Sequence, residues 1–178
     1  MAALAVGQRA PAFTLKTADG ATVRLSDFFG KQVVLYFYPK DDTPGCTKEA
    51  CAFQQGRPRW ENANAVVLGV SGDDEASHER FARKFGLTFP LLCDPRFEVC
   101  KAYGVYKQKA LYGRTFLGIE RTTFLIDEQG RIARIFPRVR VDGHLEEVLA
   151  ALRAPFKTSR ALRWAQMPAA QGARRKAY

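Results

Sequence analysis

Apolar and polar positions along the chain change period several times, and each change marks an element. Phe13-Thr14-Leu15-Lys16 and Thr22-Val23-Arg24-Leu25 alternate on either side of Ala18-Asp19-Gly20, which predicts a β-hairpin. Across residues 31–38 the alternation gives way to a nearly unbroken apolar run, the pattern of a strand buried on both faces. Thr43-Pro44-Gly45 then opens a helix, with Thr43 as N-cap and proline at the first position, where its missing N–H costs nothing. Arg57-Pro58 should end or kink that helix early.

Residues 65–70 read as a second buried strand, and residues 73–85 as a helix with His78, Phe81 and Phe85 on one face and Gly86 as its stop. Asp94-Pro95 starts a short helix that Gly104 closes. A third strand at 122–126 turns through Asp127-Glu128-Gln129-Gly130 into an alternating segment at 131–136. Asp142 is expected to cap a last helix whose Leu145, Val148, Leu149 and Leu152 form one stripe. Buried strands interleaved with helices predict an α/β fold with a mixed central sheet covered on both faces, an order compatible with a thioredoxin-like arrangement.

Composition narrows the class. The 178 residues are 47% hydrophobic and 26% charged, a globular balance that argues against wholesale disorder. No apolar run approaches the ~20 residues that span a bilayer, so no membrane partner is expected. The N-terminal apolar stretch is too short for a secretory signal, which points to a reducing cytoplasm. The formal charge is +10, but six basic residues and no acid follow Pro155. Taking those six from 28 leaves 22 basic against 18 acidic groups, so the body stands at +4. The expected division is a domain at 1–153 and a basic C-terminal extension at 154–178.

Chemistry concentrates where the first buried strand ends. The loop there delivers Cys46 to the first turn of a helix, among backbone N–H groups without helical acceptors and at the positive end of the helix dipole. Cysteines so placed fall from a pKa of ~8.5 to roughly 3.5–7.5, which makes them nucleophiles at neutral pH. Thr43 precedes Cys46 by three residues and can set its hydroxyl against the sulfur. Glu49, one turn later, either holds an arginine or lies on an exposed helix face.

Pro39-x-x-x-Thr43-x-x-Cys46 resembles the active-site motif of the peroxiredoxins. The longer text from Tyr36 through Cys51 is similar to the subfamily called bacterioferritin comigratory protein or peroxiredoxin Q. The likeness continues through Val66-Val-Leu-Gly-Val-Ser71, Phe89-Pro-Leu-Leu-Cys-Asp94, Tyr103-Gly-Val105 and Arg121-Thr-Thr-Phe-Leu-Ile-Asp127. The resemblance implies a thioredoxin-fold, thiol-dependent peroxidase active on hydrogen peroxide and organic hydroperoxides. It puts Cys46 on the peroxidatic position, with Pro39, Thr43 and Arg121 on the other members of the active-site quartet. Physical roles fit: the guanidinium fork of Arg121 can reach sulfur and oxygen together, and Pro39 can shape the loop and shield the sulfur. Cys51 resembles the resolving cysteine, which implies an intramolecular disulfide with Cys46, recycled by thioredoxin or a glutaredoxin-like dithiol. On an intact helix a five-residue offset gives a rise of ~7.5 Å and a rotation of ~140°. Disulfides need Cα atoms about 4.4–6.8 Å apart, so the helix must unwind to form one. Gly56 and Pro58 weaken its far end.

Cys93 and Cys100 sit among apolar neighbours and read as core residues. His78 reads as packing, and His144, beside Asp142 and Glu146, as a surface residue. The spacings Cys46-x4-Cys51 and Cys93-x6-Cys100 match structural zinc pairs poorly, so no metal is expected. There is no Walker-type loop and no dinucleotide fingerprint, hence no cofactor. Arg160, Arg163, Trp164 and Arg174-Arg175-Lys176 form no recognised nucleic-acid motif, and nucleic acid is not an expected partner. The peroxide and its thiol reductant are, and a monomer is expected.

Overall fold

The computed structural model describes residues 3–153, and the basic extension lies outside the described residues. The expected hairpin forms as β1 (Thr14–Thr17) and β2 (Thr22–Arg24), with Gly20 at φ 82° in its turn. The apolar run becomes β3 (Gln32–Phe37), followed by α1 (Pro44–Gln55), α2 (Arg57–Asn62) and β4 (Ala65–Ser71). Then come α3 (Glu75–Phe85), β5 (Leu91–Cys93) and α4 (Glu98–Ala102). A second hairpin, β6 (Tyr106–Leu111) with β7 (Arg114–Ile119), precedes β8 (Thr122–Ile126), β9 (Ile132–Phe136) and α5 (His144–Arg153).

Seven strands make one mixed sheet in the order β2-β1-β5-β4-β3-β8-β9, and β6-β7 stands apart as a two-stranded sheet. β3 is central: it runs parallel to β4 and antiparallel to β8. The period of two along β3 divides the core. Val34, Tyr36 and Tyr38 face one layer with Cys46, Ala50, Phe53, Trp60, Phe81, Val148 and Leu149, while Val33, Leu35 and Phe37 face the other with Phe13, Leu25, Cys100 and Tyr103. Thus α1, α2, α3 and α5 contribute to one apolar layer, and α4 with the N-terminal segment to the other.

Three expected boundaries move. α3 starts at Glu75, with Asp74 as N-cap accepting from the Ser77 N–H at 2.8 Å. α4 starts at Glu98, after Phe97 in a left-handed conformation, although the Asp94 carboxylate does accept from the Cys100 N–H at 2.8 Å. Asp142 is separated from α5 by Gly143, and its carboxylate pairs with Lys48. The break at Arg57-Pro58 is as expected: α1 stops at Gln55 and α2 begins with proline in its first turn. A Cβ at Gly56 between them would lie 2.8 Å from Leu145 Cδ1 of α5, so a side chain there would displace that leucine.

Candidate active site

The site lies where β3 ends. Register pairs Phe37 with Thr122, so the loop leaving β3 and the residue entering β8 are neighbours. That residue is Arg121. Thr43 holds the N-cap of α1 in extended conformation (φ −94°, ψ 154°), Pro44 opens the helix, and Cys46 falls in its first turn with only 2% of its surface exposed. The Thr43 side chain does not cap this helix start, which leaves N–H groups of the first turn directed along the axis beside the sulfur.

Arg121 joins the two ends of that turn. Its Nη2 donates to Cys46 Sγ at 3.2 Å, and its Nη1 donates to Glu49 Oε2 in an ion pair. The guanidinium is mostly enclosed, and a Cβ on Gly45 would stand 3.2 Å from Nη2, so the arginine packs directly on glycine backbone. Glu49 is 2% exposed and its Oε1 has no partner among the described residues. Burial pushes its carboxyl up to about 7, against the opposing pull of Arg121. Burial alone would lower the Arg121 pKa, but the charges of Glu49 and Cys46 more than offset it, and the guanidinium stays a fixed cation. Beneath them Tyr36 packs its ring 4.8 Å from that of Phe53. Burial, followed by Glu49 and Cys46, holds this phenol well above its ordinary value, so it remains neutral. The buried Cys46 sulfur thus faces a donor-only cation and the positive N-terminal end of a helix.

The AhpC/TSA family matches residues 6–135. The chain belongs to this family of peroxiredoxins. It is similar to a putative peroxiredoxin bcp of Coxiella burnetii, 52% identical over 147 residues that cover 83% of this chain and 97% of that protein. The peroxiredoxin Bcp of Bacillus subtilis is 45% identical over 148 residues, covering 83% and 94%. Among solved structures, a cysteine mutant of Xylella fastidiosa peroxiredoxin Q superposes with a TM-score of 0.81 at 41% identity, over 86% of this chain and 98% of that one. The Xanthomonas campestris bacterioferritin comigratory protein, solved in connection with its alkyl peroxide reduction activity, gives 0.76 at 42% identity over 79% and 90%. The expected thioredoxin-like fold is thereby shown, and this peroxiredoxin is a thiol-dependent peroxidase, an oxidoreductase.

Of the residues expected at the site, Cys46 and Arg121 meet directly and Glu49 joins them. Thr43 donates its hydroxyl to the Lys40 carbonyl at 2.9 Å and not to the sulfur, which corrects the expected contact. Pro39 is exposed in the same loop. Cys51 is a free, half-buried thiol further along α1. Cys93 and Cys100 are buried; burial raises the Cys93 thiol to about 11 and carries Cys100 higher still, as inert core residues should behave.

Both histidines are more engaged than periodicity suggested. His144 is 2% exposed, not at the surface: Nε2 meets Thr123 Oγ1 at 2.8 Å, and the rings of Phe136 and Phe53 stand 5.3 and 6.1 Å away. Burial lowers its pKa, which keeps the imidazole neutral. His78 is packed as expected, but it also anchors a buried polar network at Asp41. The signal for that network was present in the acid at the middle of the active-site loop, which a purely solvent-facing loop does not need.

Proposed function

We propose that Cys46 is the nucleophile of the peroxidase and Cys51 its resolving partner. The observation that supports this reading is the Arg121 Nη2 contact with Cys46 Sγ, 3.2 Å long, at the start of a helix. The Cys46 thiolate attacks one peroxide oxygen; the S–O bond forms as the O–O bond breaks. Sulfur gives up two electrons, and the other oxygen leaves as hydroxide or alkoxide and takes a proton. Negative charge spreads onto both oxygens in the transition state, where Arg121 and the N–H groups of the first helical turn stabilise it without reorganising. Thr43, whose hydroxyl hydrogen is engaged by Lys40, offers its oxygen lone pairs to the peroxide O–H and so orients the substrate. Pro39 shapes the loop and the burial of Cys46 keeps water from its sulfur.

Cys51 then attacks the Cys46 sulfenic sulfur, an S–S bond forms and water leaves. Two electrons from thioredoxin or a glutaredoxin-like dithiol restore both thiols. Hydrogen peroxide and organic hydroperoxides are the substrates, in a cytoplasmic monomer whose catalytic unit is residues 1–153. The extension at 154–178 is dispensable for turnover, and nucleic acid is not a partner.

The test is peroxide-dependent NADPH oxidation with thioredoxin and thioredoxin reductase. Cys46→Ser should abolish it, while Cys93→Ser, Cys100→Ser and truncation after residue 153 should leave most of it. Turnover retained by Cys46→Ser would overturn the nucleophile.

A further inference from the structure

The loop between β3 and α1 exposes Pro39, Lys40 and Asp42, yet turns Asp41 inward to 6% exposure. A buried carboxylate is costly unless its lone pairs are filled, and here they are. Oδ1 accepts from the Tyr38 hydroxyl at 2.6 Å, while Oδ2 accepts from Ser77 Oγ at 2.9 Å and His78 Nδ1 at 2.7 Å. The Asp41 N–H donates to Asp73 Oδ2 at 2.9 Å, an oxygen that Ser71 Oγ also reaches at 2.6 Å. On its far side His78 Nε2 lies 3.0 Å from the Leu92 carbonyl of β5. A carboxylate and a carbonyl only accept, so both ring nitrogens must carry hydrogen and His78 is an imidazolium. One charged pair thus ties the active-site loop to α3 and β5, five residues before Cys46.

Resting on the assignment of Cys46 as nucleophile, we propose that Asp41 and His78 are positioning residues for peroxide attack. They fix the loop that carries Thr43 and delivers Cys46 to Arg121, and they do so only while His78 is protonated.

The groups facing His78 are consistent with this state. Tyr38 is the residue after β3, Asp41 comes from the loop, Asp73 from the turn before α3, and Cys93 follows Leu92 on β5. Asp74 and Glu75 lie at the start of α3, and Lys84 closes the loop outside through Asp42 at 2.9 Å. Burial disfavours the imidazolium, but the bonds and charge of Asp41, the Leu92 carbonyl and Asp73 outweigh it, and the pKa is raised. Loss of the proton leaves Nδ1–H on the Asp41 carboxylate without its charge assistance and turns the Nε2 lone pair against the Leu92 carbonyl, which pushes the ring away from β5 and loosens its hold on the loop. Displacement of reacting groups by about 1 Å costs as much as a hundredfold in rate.

The experiment measures the second-order rate of the reduced protein with hydrogen peroxide from about pH 6 to about pH 9, across the range where a raised histidine titrates. Wild type is compared with His78→Asn, His78→Gln and Cys46→Ser. Asparagine sets its amide N–H near the former Nδ1 and keeps the bond to Asp41; glutamine reaches instead toward the Leu92 carbonyl. His78→Asn should react within about threefold of wild type at the acid end and lack the alkaline fall that wild-type His78 causes, whereas His78→Gln should be slower by tenfold or more throughout. A wild-type rate in His78→Gln, or an alkaline fall that persists unchanged in His78→Asn, overturns the proposal. The comparison of wild type with His78→Asn decides it even if the glutamine variant does not fold. Peroxide consumption by Cys46→Ser would overturn the nucleophile and this proposal together; an inert Cys46→Ser beside a His78→Gln that reacts at the wild-type rate, or a His78→Asn that keeps the wild-type alkaline fall, overturns the positioning role alone.

Discussion

Replacing Arg121 with lysine keeps the charge and removes the fork. Arg121 uses Nη2 for Cys46 and Nη1 for Glu49 at the same time, and a Cβ on Gly45 would stand 3.2 Å from its Nη2. A lysine ammonium is one point on a flexible stem and must choose. Glu49, buried and with Oε1 lacking a partner among the described residues, competes strongly for it. The sulfur therefore loses a charge-assisted hydrogen bond worth about 1.5–3 kcal/mol. At ~1.4 kcal/mol for each factor of ten, the rate of peroxide attack should fall roughly 10- to 100-fold. Rapid-mixing measurement of the reduced protein with substoichiometric peroxide isolates this step from recycling, and thermal unfolding checks that the variant is folded. A rate within about twofold of wild type, in a folded Arg121→Lys protein, would mean that charge alone suffices and the bridging geometry is incidental.

Further outcomes follow from the same geometry. Cys51→Ser should keep the first turnover, lose rapid recycling by thioredoxin, and overoxidise at Cys46 more readily, as seen by mass spectrometry over repeated peroxide additions. Trp60 donates to the Phe53 carbonyl of α1 at 2.8 Å, so its fluorescence should change on oxidation, and Trp60→Phe should abolish most of that change; an unaltered signal would mean α1 does not rearrange there. Glu49 moves from an ordinary 4.5 to about 7, so the folded state holds its proton more tightly. The stability this contributes is complete below about 4.5 and is lost as pH rises to about 7, a change of about 3 kcal/mol. In urea unfolding of reduced protein, wild type should lose that much relative to Glu49→Gln across this window, and a pH-independent difference would contradict it.

Periodicity found the framework because burial dictates it. Residues 33–38, buried on both faces, could only read as a central strand, and the Leu145–Leu152 stripe only as a helix on the sheet. The β6-β7 hairpin escaped notice for the converse reason: it stands apart from the main sheet, exposes Leu111, Phe116 and Leu117, and so carries no inside–outside alternation. The Cys46 motif was legible because its chemistry requires a loop, a cap and a helix start in immediate succession. Arg121 lies 75 positions from Cys46 and became a neighbour only through the pairing of β3 with β8. The Asp41–His78 contact spans 37 positions, and the burial of His144 depends on Thr123 and Phe136 from two other strands. Long-range partners of this kind leave no local pattern, which is why a histidine on an apolar helix face looked like packing alone and one in a polar first turn looked exposed.

The central claim is that Cys46 takes the peroxide oxygen and Cys51 closes the disulfide. Trypsin cleaves after Lys48, between the two cysteines, and releases them on separate peptides, residues 41–48 and 49–59. Peptide mapping of protein treated with one equivalent of peroxide should find these two peptides joined, two hydrogens lighter than their sum, and separated again by thioredoxin. Cys93 and Cys100 should remain available to alkylation after unfolding. A dominant Cys46–Cys93, Cys46–Cys100 or Cys93–Cys100 link would contradict the assignment, and with it the unwinding of α1.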